Sequence, residues 1–190
     1  MSDIVVVHGS RKKDGNTGTL IKNMADCIKS RGFETEVLFL QEYNIRFIGQ
    51  CGICYQEGKC MASDDSFQLL EKCFGAKAIV FSTPIYYYSP SGQMKTFMDR
   101  FFCKHEEAAK RLENKIAAVI LAAEFGEDHC QETISMFRRF LEFYKMRFVG
   151  YIAVKATRGD VVSNHAALQS ARDLGTTIVN QILDSDSVRS

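Results

Sequence analysis

The chain has 190 residues, 46% hydrophobic and 25% charged, a balance that excludes a disordered or fibrous polypeptide and suffices for one sizeable core. Its 24 Lys and Arg against 23 Asp and Glu leave a formal net charge of +1, so no overall field draws it to nucleic acid or an acidic membrane surface, and any anion site has to be local. Met1-Ser2-Asp3 leads straight into an apolar strand, no run of about 20 apolar residues follows, and seven cysteines form an odd count in a core-rich chain. These features are read as a single domain over residues 1–190, in a reducing cytoplasm and not in a membrane or a secreted disulfide scaffold.

The first strand is expected over Ile4–Val7, and a helix over Thr17–Arg31. Between them runs Gly9-Ser10-Arg11-Lys12-Lys13-Asp14-Gly15-Asn16-Thr17. A loop that leaves a strand and opens a helix presents unpaired backbone N–H groups and the positive end of the helix dipole, a favourable seat for a phosphate dianion. Ser10 and Thr17 add hydroxyl donors and Asn16 an amide donor. Gly9 and Gly15 let the backbone come close, and Gly18 continues the helix opening. Arg11, Lys12 and Lys13 outweigh Asp14, which supplies the local field that the whole chain lacks. Neither Gly-x-Gly-x-x-Gly nor a Gly-Lys-Ser/Thr ending is present, so a terminal phosphomonoester fits better than a dinucleotide or nucleoside triphosphate.

A second strand is expected over Glu36–Leu40, and after it residues Gln41–Asp65 fit neither strand nor helix period, a long connection for a compact domain. It carries Cys51, Cys54 and Cys60 at the spacing C-x2-C-x5-C, followed by Asp64-Asp65. Such thiolates suit an iron–sulfur centre, a zinc site completed by a histidine, or a Cys51–Cys54 redox pair. A [4Fe–4S] cube wants four ligands and zinc lacks a nearby partner, so small buried thiols are the favoured reading. Cys27, Cys73, Cys103 and Cys130 fall in or at the start of helical stretches and read as packing residues.

After a helix over Phe67–Phe74 comes a third strand, Ala78–Ser82, then Thr83-Pro84-Ile85-Tyr86-Tyr87-Tyr88-Ser89-Pro90-Ser91-Gly92. Ligands of open α/β sheets sit at the carboxyl ends of the strands, where strand order reverses, so this loop and the first one make one site. Pro84, Ile85, Tyr86 and Tyr87 supply the apolar and aromatic wall that a flat ring system needs. Three consecutive tyrosines also suit a capped hydrophobic surface or a subunit contact, and both uses are compatible with the ring wall. Beyond them lie helices over Gln93–Lys110, Glu132–Arg147 and His165–Leu183, and strands over Ile116–Ala122 and Phe148–Val154. In the last helix, Leu168, Ala171, Leu174, Ile178 and Ile182 share one face and are assigned to core packing.

The first loop resembles that of the NADPH-dependent FMN reductase and iron–sulfur flavoprotein group, Gly-Ser-Pro-Arg-x-x-Gly-Asn-Thr, with Gly9, Ser10, Gly15, Asn16 and Thr17 in place, Arg11 at the proline and Lys12 at the arginine. Pro84-Ile85-Tyr86, Ser91-Gly92-Gln93-Met94-Lys95 and Phe97-Met98-Asp99-Arg100 resemble the group's Pro-Val-Tyr, Ser-Gly-Gln-Lys and Phe-Asp-Arg. Asp99 and Arg100 are taken as a structural pair. The resemblance implies an α/β, flavodoxin-like fold, a five-stranded parallel sheet with helices on both faces. It implies FMN, bound through Ser10, Arg11, Lys12, Asn16, Thr17, Gly18 and Pro84–Tyr87, with NAD(P)H as reductant. Against the group's C-x2-C-x2-C-x5-C pattern the first cysteine falls on Ile48, which cannot ligate iron, so an iron–sulfur cluster is not expected. Where relatives carry Gly-Gly, this chain has Glu124-Phe125-Gly126-Glu127-Asp128-His129, and no ring contact is assigned to it.

The expected activity is transfer of hydride from NAD(P)H through FMN to a quinone, free flavin or other small acceptor. No catalytic residue is named, because the cofactor carries the chemistry. The alternative is an electron-transfer flavoprotein serving a ferredoxin-like partner. A homodimer or homotetramer is expected from the group's habit and from the phenylalanines Phe97, Phe101 and Phe102, which could also be core.

Overall fold

The computed structural model describes residues 2–49, 64–157 and 159–187. Five parallel strands, β1 (Ile4–His8), β2 (Thr35–Phe39), β3 (Ala78–Tyr86), β5 (Ile116–Ala123) and β6 (Arg147–Lys155), lie in the order β2-β1-β3-β5-β6, and the two-residue β4 (Ser89–Pro90) folds back antiparallel on the end of β3. The central strands are buried along nearly their whole length, as expected where helices cover both faces of a parallel sheet.

The helices are α1 (Asn16–Ser30), α2 (Ser66–Gly75), α3 (Gly92–Cys103), α4 (His105–Leu112), α5 (Gln131–Phe143) and α6 (His165–Ser187). One apolar layer joins α1 and α6 to the sheet through Leu20, Met24, Ile178 and Ile182. The other joins α2 to α5 through Leu69, Phe97, Phe101 and Phe137. Phe97 and Phe101 are fully buried and belong to this core, whereas Phe102 is exposed. None of the described helices is long and apolar enough to cross a membrane.

Three elements differ from the sequence expectation. The helix expected over Gln93–Lys110 is two helices that turn at Lys104, where Lys104 N–H closes on the Phe101 carbonyl and its own carbonyl takes the Ala108 N–H that opens α4. The helix expected to reach Arg147 ends at Phe143, because Lys145 adopts a left-handed conformation (φ 52°) and Met146 N–H returns to the Leu141 carbonyl. Strand β3 runs four residues past Ser82. Beyond Ser82 its β1 neighbour has ended, and the alternation of backbone groups turns the side where Pro84 lacks an N–H toward that open edge, so the proline costs the ladder nothing. The order reverses between β1 and β3, and the loops that leave these two strands meet there.

Candidate functional site

The first loop leaves β1 at Gly9, whose N–H donates to the Ser82 carbonyl (2.8 Å), and closes on α1 through Gly15, the helix N-cap. The N–H groups of Asn16, Thr17 and Gly18 open the helix and have no acceptor within it. Ser10 is buried and accepts the Lys12 N–H (3.1 Å), which leaves its hydroxyl hydrogen directed elsewhere. Lys13 pairs with Glu42 (3.2 Å), while Arg11 and Lys12 are exposed and pair with no carboxylate among the described residues. Free N–H groups at a helix start beside two unspent cations form a donor set suited to a phosphate dianion.

Two of the expected phosphate donors stand differently. The Asn16 side chain, read as a donor to the anion, instead donates to the Thr157 carbonyl and accepts the Val161 N–H (3.3 Å), bracing the connection between β6 and α6. Its backbone N–H stays at the loop, in the first turn of α1. The Thr17 hydroxyl lies 3.0 Å from Nε2 of His8, a residue that sequence reasoning passed over. The close approach expected of Gly9 and Gly15 is tightest at Gly9 and at Gly18, while a Cβ on Gly15 would meet Lys12 Cβ at 3.3 Å. A Cβ on Gly9 would meet Met94 Cβ at 2.8 Å, and one on Gly18 would lie 1.8 Å from the Lys13 carbonyl oxygen.

His8 is 1% exposed, and burial, reinforced by the charge of Lys13, pushes its imidazole down to about 4. The unfolded chain takes up this proton near 6.5, so the folded state binds fewer protons between these values. The contribution of neutral His8 is present above pH 6.5 and is lost as pH falls toward 4. Urea unfolding should show wild type losing about 3 kcal/mol relative to His8→Gln between pH 7 and pH 4. Parallel pH dependence in the two proteins would show that His8 is not held neutral.

The second loop is a tight hairpin. Tyr87 (φ 49°) and Tyr88 (φ 63°) form its two-residue turn between Tyr86 and Ser89, the geometry that ordinarily selects Asn-Gly. Tyr88 is held by a ring stack on His129 (centroids 5.0 Å apart, 14° between planes) and by the Thr133 hydroxyl, which donates to its carbonyl (2.9 Å). Phe125 lies against the same imidazole (5.2 Å), so the third edge loop does reach the second. Tyr87 is 97% exposed and gains nothing from packing. In the apo-protein, Tyr87→Asn should therefore raise the unfolding free energy by about 1 kcal/mol, since asparagine tolerates the left-handed region that tyrosine resists. A chemical denaturation midpoint that stays put or falls would contradict this account.

Ser91 ties the two loops together. Its hydroxyl donates to the Gly9 carbonyl and accepts the Met94 N–H (3.2 Å) as the cap of α3, while its own N–H donates to Thr83 Oγ1 (2.9 Å). The anion loop and the Pro84–Tyr88 hairpin are thus parts of one edge.

Residues 2–160 match the NADPH-dependent FMN reductase family. The chain belongs to that family. This FMN reductase homologue is 26% identical over 188 residues to an iron–sulfur flavoprotein of Methanocaldococcus jannaschii, covering 94% of this chain and 96% of that one. It is 29% identical over 181 residues to a Bacillus subtilis protein that carries the name of an NAD(P)H-dependent FMN-containing oxidoreductase, covering 90% and 95%. Among solved structures it is similar to the Trp repressor binding protein of Bacillus subtilis, with a TM-score of 0.69 and 25% identity over 90% of this chain and 99% of that one. A WrbA-like flavodoxin of Agrobacterium tumefaciens, with a TM-score of 0.64 and 16% identity over 97% and 99%, shows the same fold. The fold is flavodoxin-like, and the protein is an FMN-dependent oxidoreductase that uses NAD(P)H.

In this FMN reductase homologue Arg100 is structural, as expected, but its partner is not Asp99, which pairs with Lys95 one turn back. The Arg100 guanidinium lies 3.4 Å from Asp64 and donates from Nε to Ser66 Oγ (2.9 Å). Cys51, Cys54 and Cys60 lie outside the described residues. Cys73 and Cys130 are buried, and burial pushes their thiols up to about 12 and about 11, which makes them packing groups and not nucleophiles. Cys27 and Cys103 are half-buried.

Proposed function

We propose that this enzyme reduces a quinone, a free flavin or another small electrophile at an open cofactor edge, with the FMN phosphate at the first loop and the ring toward Pro84, Ile85, Tyr86 and Tyr87. The observation that carries the reading is the Ser91 stitch, which holds the anion loop and the aromatic hairpin against each other at the reversal of strand order. Ser10, Arg11, Lys12, Thr17 and the backbone N–H groups of Asn16 and Gly18 would take the phosphate. FMN held there would supply the redox chemistry, two-electron reduction of the acceptor at the expense of NAD(P)H.

The residues then act by position. The helix start and its two free cations orient the phosphate. The rigid hairpin forms a wall beside the ring, and Tyr87 stands out from it where a flat acceptor would arrive. No side chain is required to give or take a proton at the reacting atoms. Assembly as a homodimer or homotetramer would place a neighbour's surface beside the exposed tyrosines as a further wall of the opening, and sedimentation of the holoprotein reads the oligomeric state.

The test is an absorption spectrum with metal analysis, followed by anaerobic addition of NADH or NADPH. Flavin bands that bleach rapidly, and return when a quinone is added, are expected. A protein that neither carries nor takes up FMN would overturn the reading. Flavin that bleaches only with a reduced ferredoxin-like donor would make the chain an electron carrier.

A further inference from the structure

The described residues offer one buried titratable side chain in direct contact with the anion loop that the functional reading has not used. His8 is the last residue of β1, adjacent to Gly9, and it closes a strand that is otherwise wholly apolar. Its ring packs against Phe39 (centroids 5.2 Å apart), and its Cε1 lies 3.6 Å from the position that a Cβ on Gly18 would take. Its Nε2 lies 3.0 Å from the hydroxyl of Thr17, which is itself buried in the first turn of α1.

A hydroxyl has one hydrogen to give, so this contact has two forms that are not equivalent for the loop. If Thr17 donates to an unprotonated Nε2, only its lone pairs face an incoming group. If a protonated Nε2 donates to Thr17, the hydroxyl hydrogen is free to point into the loop. A phosphate dianion accepts hydrogen bonds and gives none, so it is compatible with the second form alone.

We propose that His8 is a positioning residue of the phosphate loop, its Nε2–H donating to Thr17 Oγ1 so that the Thr17 hydroxyl donates to the phosphomonoester of FMN. The inference rests on the assignment of the first loop to the FMN phosphate. It explains why a polar ring ends an apolar strand at this point. It also assigns the positive charge of the site to Arg11 and Lys12, because burial keeps the imidazole neutral while its N–H still orders the donor next in line. The benefit falls on the phosphate and not on the ring system.

The test compares FMN with riboflavin, which lacks the phosphate, by quenching of flavin fluorescence on apo-protein prepared from wild type, His8→Gln, His8→Leu and Thr17→Val. His8→Leu should weaken FMN about tenfold, the scale of one hydrogen bond to a charged group, and leave riboflavin within about twofold. His8→Gln keeps an N–H donor and should recover most of the loss. Thr17→Val should lose as much as His8→Leu, and the double variant His8→Leu/Thr17→Val no more than either, since both act through one hydrogen bond. Equal weakening of FMN and riboflavin by His8→Leu, or additive losses in the double variant, would reduce His8 to a packing residue and overturn the proposal. Equal affinity of wild type for FMN and riboflavin would overturn the loop assignment itself, a distinct failure visible before any variant is made. Should His8→Leu not fold, nitrogen-15 NMR of the wild-type ring with FMN bound decides the matter. A proton on Nε2 supports the proposal, and a proton on Nδ1 alone overturns it.

Discussion

Replacing Gly18 by alanine is expected to weaken FMN binding by a factor of about 100 or more, roughly 2.7 kcal/mol, while leaving the helical content of the apo-protein nearly unchanged. Two effects oppose each other at this position. Alanine favours an α-helix over glycine by about 1 kcal/mol, so helix propensity alone predicts a more stable α1. Against this, the new Cβ would lie 1.8 Å from the Lys13 carbonyl oxygen and 2.9 Å from its carbonyl carbon, and both are backbone atoms that no rotamer change can move. The loop must lift from the helix, taking Ser10, Arg11 and Lys12 away from the N–H groups with which they share an anion. Gly92→Ala is the matching control. It too opens a helix, but a Cβ there meets nothing within 4 Å, so FMN affinity should stay within about twofold of wild type. Titration of the apo-proteins with FMN measures both, and wild-type affinity in Gly18→Ala would show that the loop does not need its close seat on α1.

How much of this was legible in the sequence depended on how far each feature reaches along the chain. The central strands β1, β3 and β5 were readable because an apolar run buried on both faces is a local signal, the half-buried edge strands β2 and β6 because they are short β-branched and aromatic runs between helical stretches, and the two site loops because each follows a central strand. The break at Lys104 was not, since the charged and aromatic pattern continues across it and only hydrogen bonds in three dimensions mark the turn. The end of α5 lacked a glycine signal, because a lysine occupies the left-handed position. Within the site, Ser10, Arg11, Lys12 and Thr17 lie in the loop where the motif placed them. The two partners of the Asn16 side chain, Thr157 and Val161, leave no local signal, because they come from far along the chain. His8 did leave a trace, a polar residue closing an apolar strand just before an anion loop, and this is the signal that could have identified it.

Arg100→Met is expected to cost 3–5 kcal/mol of stability, on the order found when one partner of a buried ion pair is removed. The pair Arg100 and Asp64 is closed to solvent, with side chains 2% and 0% exposed, so an Asp64 carboxylate left behind has no water to replace the guanidinium. Burial alone would push the Asp64 carboxyl up. Hydrogen bonds from Ser66 and from the Arg46 N–H, together with the Arg100 charge, more than offset it and hold the carboxyl below the usual range. Asp64 is also the knot of the neck before α2, accepting the Arg46 N–H (3.0 Å) and the Ser66 N–H (3.0 Å), while the adjacent Asp65 accepts the Asn44 N–H on its carboxylate (2.8 Å) and donates its own N–H to the Asn44 carbonyl (3.0 Å). The residues on either side of the cysteine-bearing stretch are thus clamped through a guanidinium delivered by α3, the helix whose cap, Ser91, stitches the two site loops. Lysine cannot reproduce the forked contact to Asp64 and Ser66, so Arg100→Lys should recover only part of the loss. Arg100→Met/Asp64→Asn removes the stranded charge and should be more stable than Arg100→Met alone. Urea unfolding of the three variants at pH 7 measures this order, and a double variant no more stable than Arg100→Met would show that packing of the long side chain, and not its charge, holds the neck.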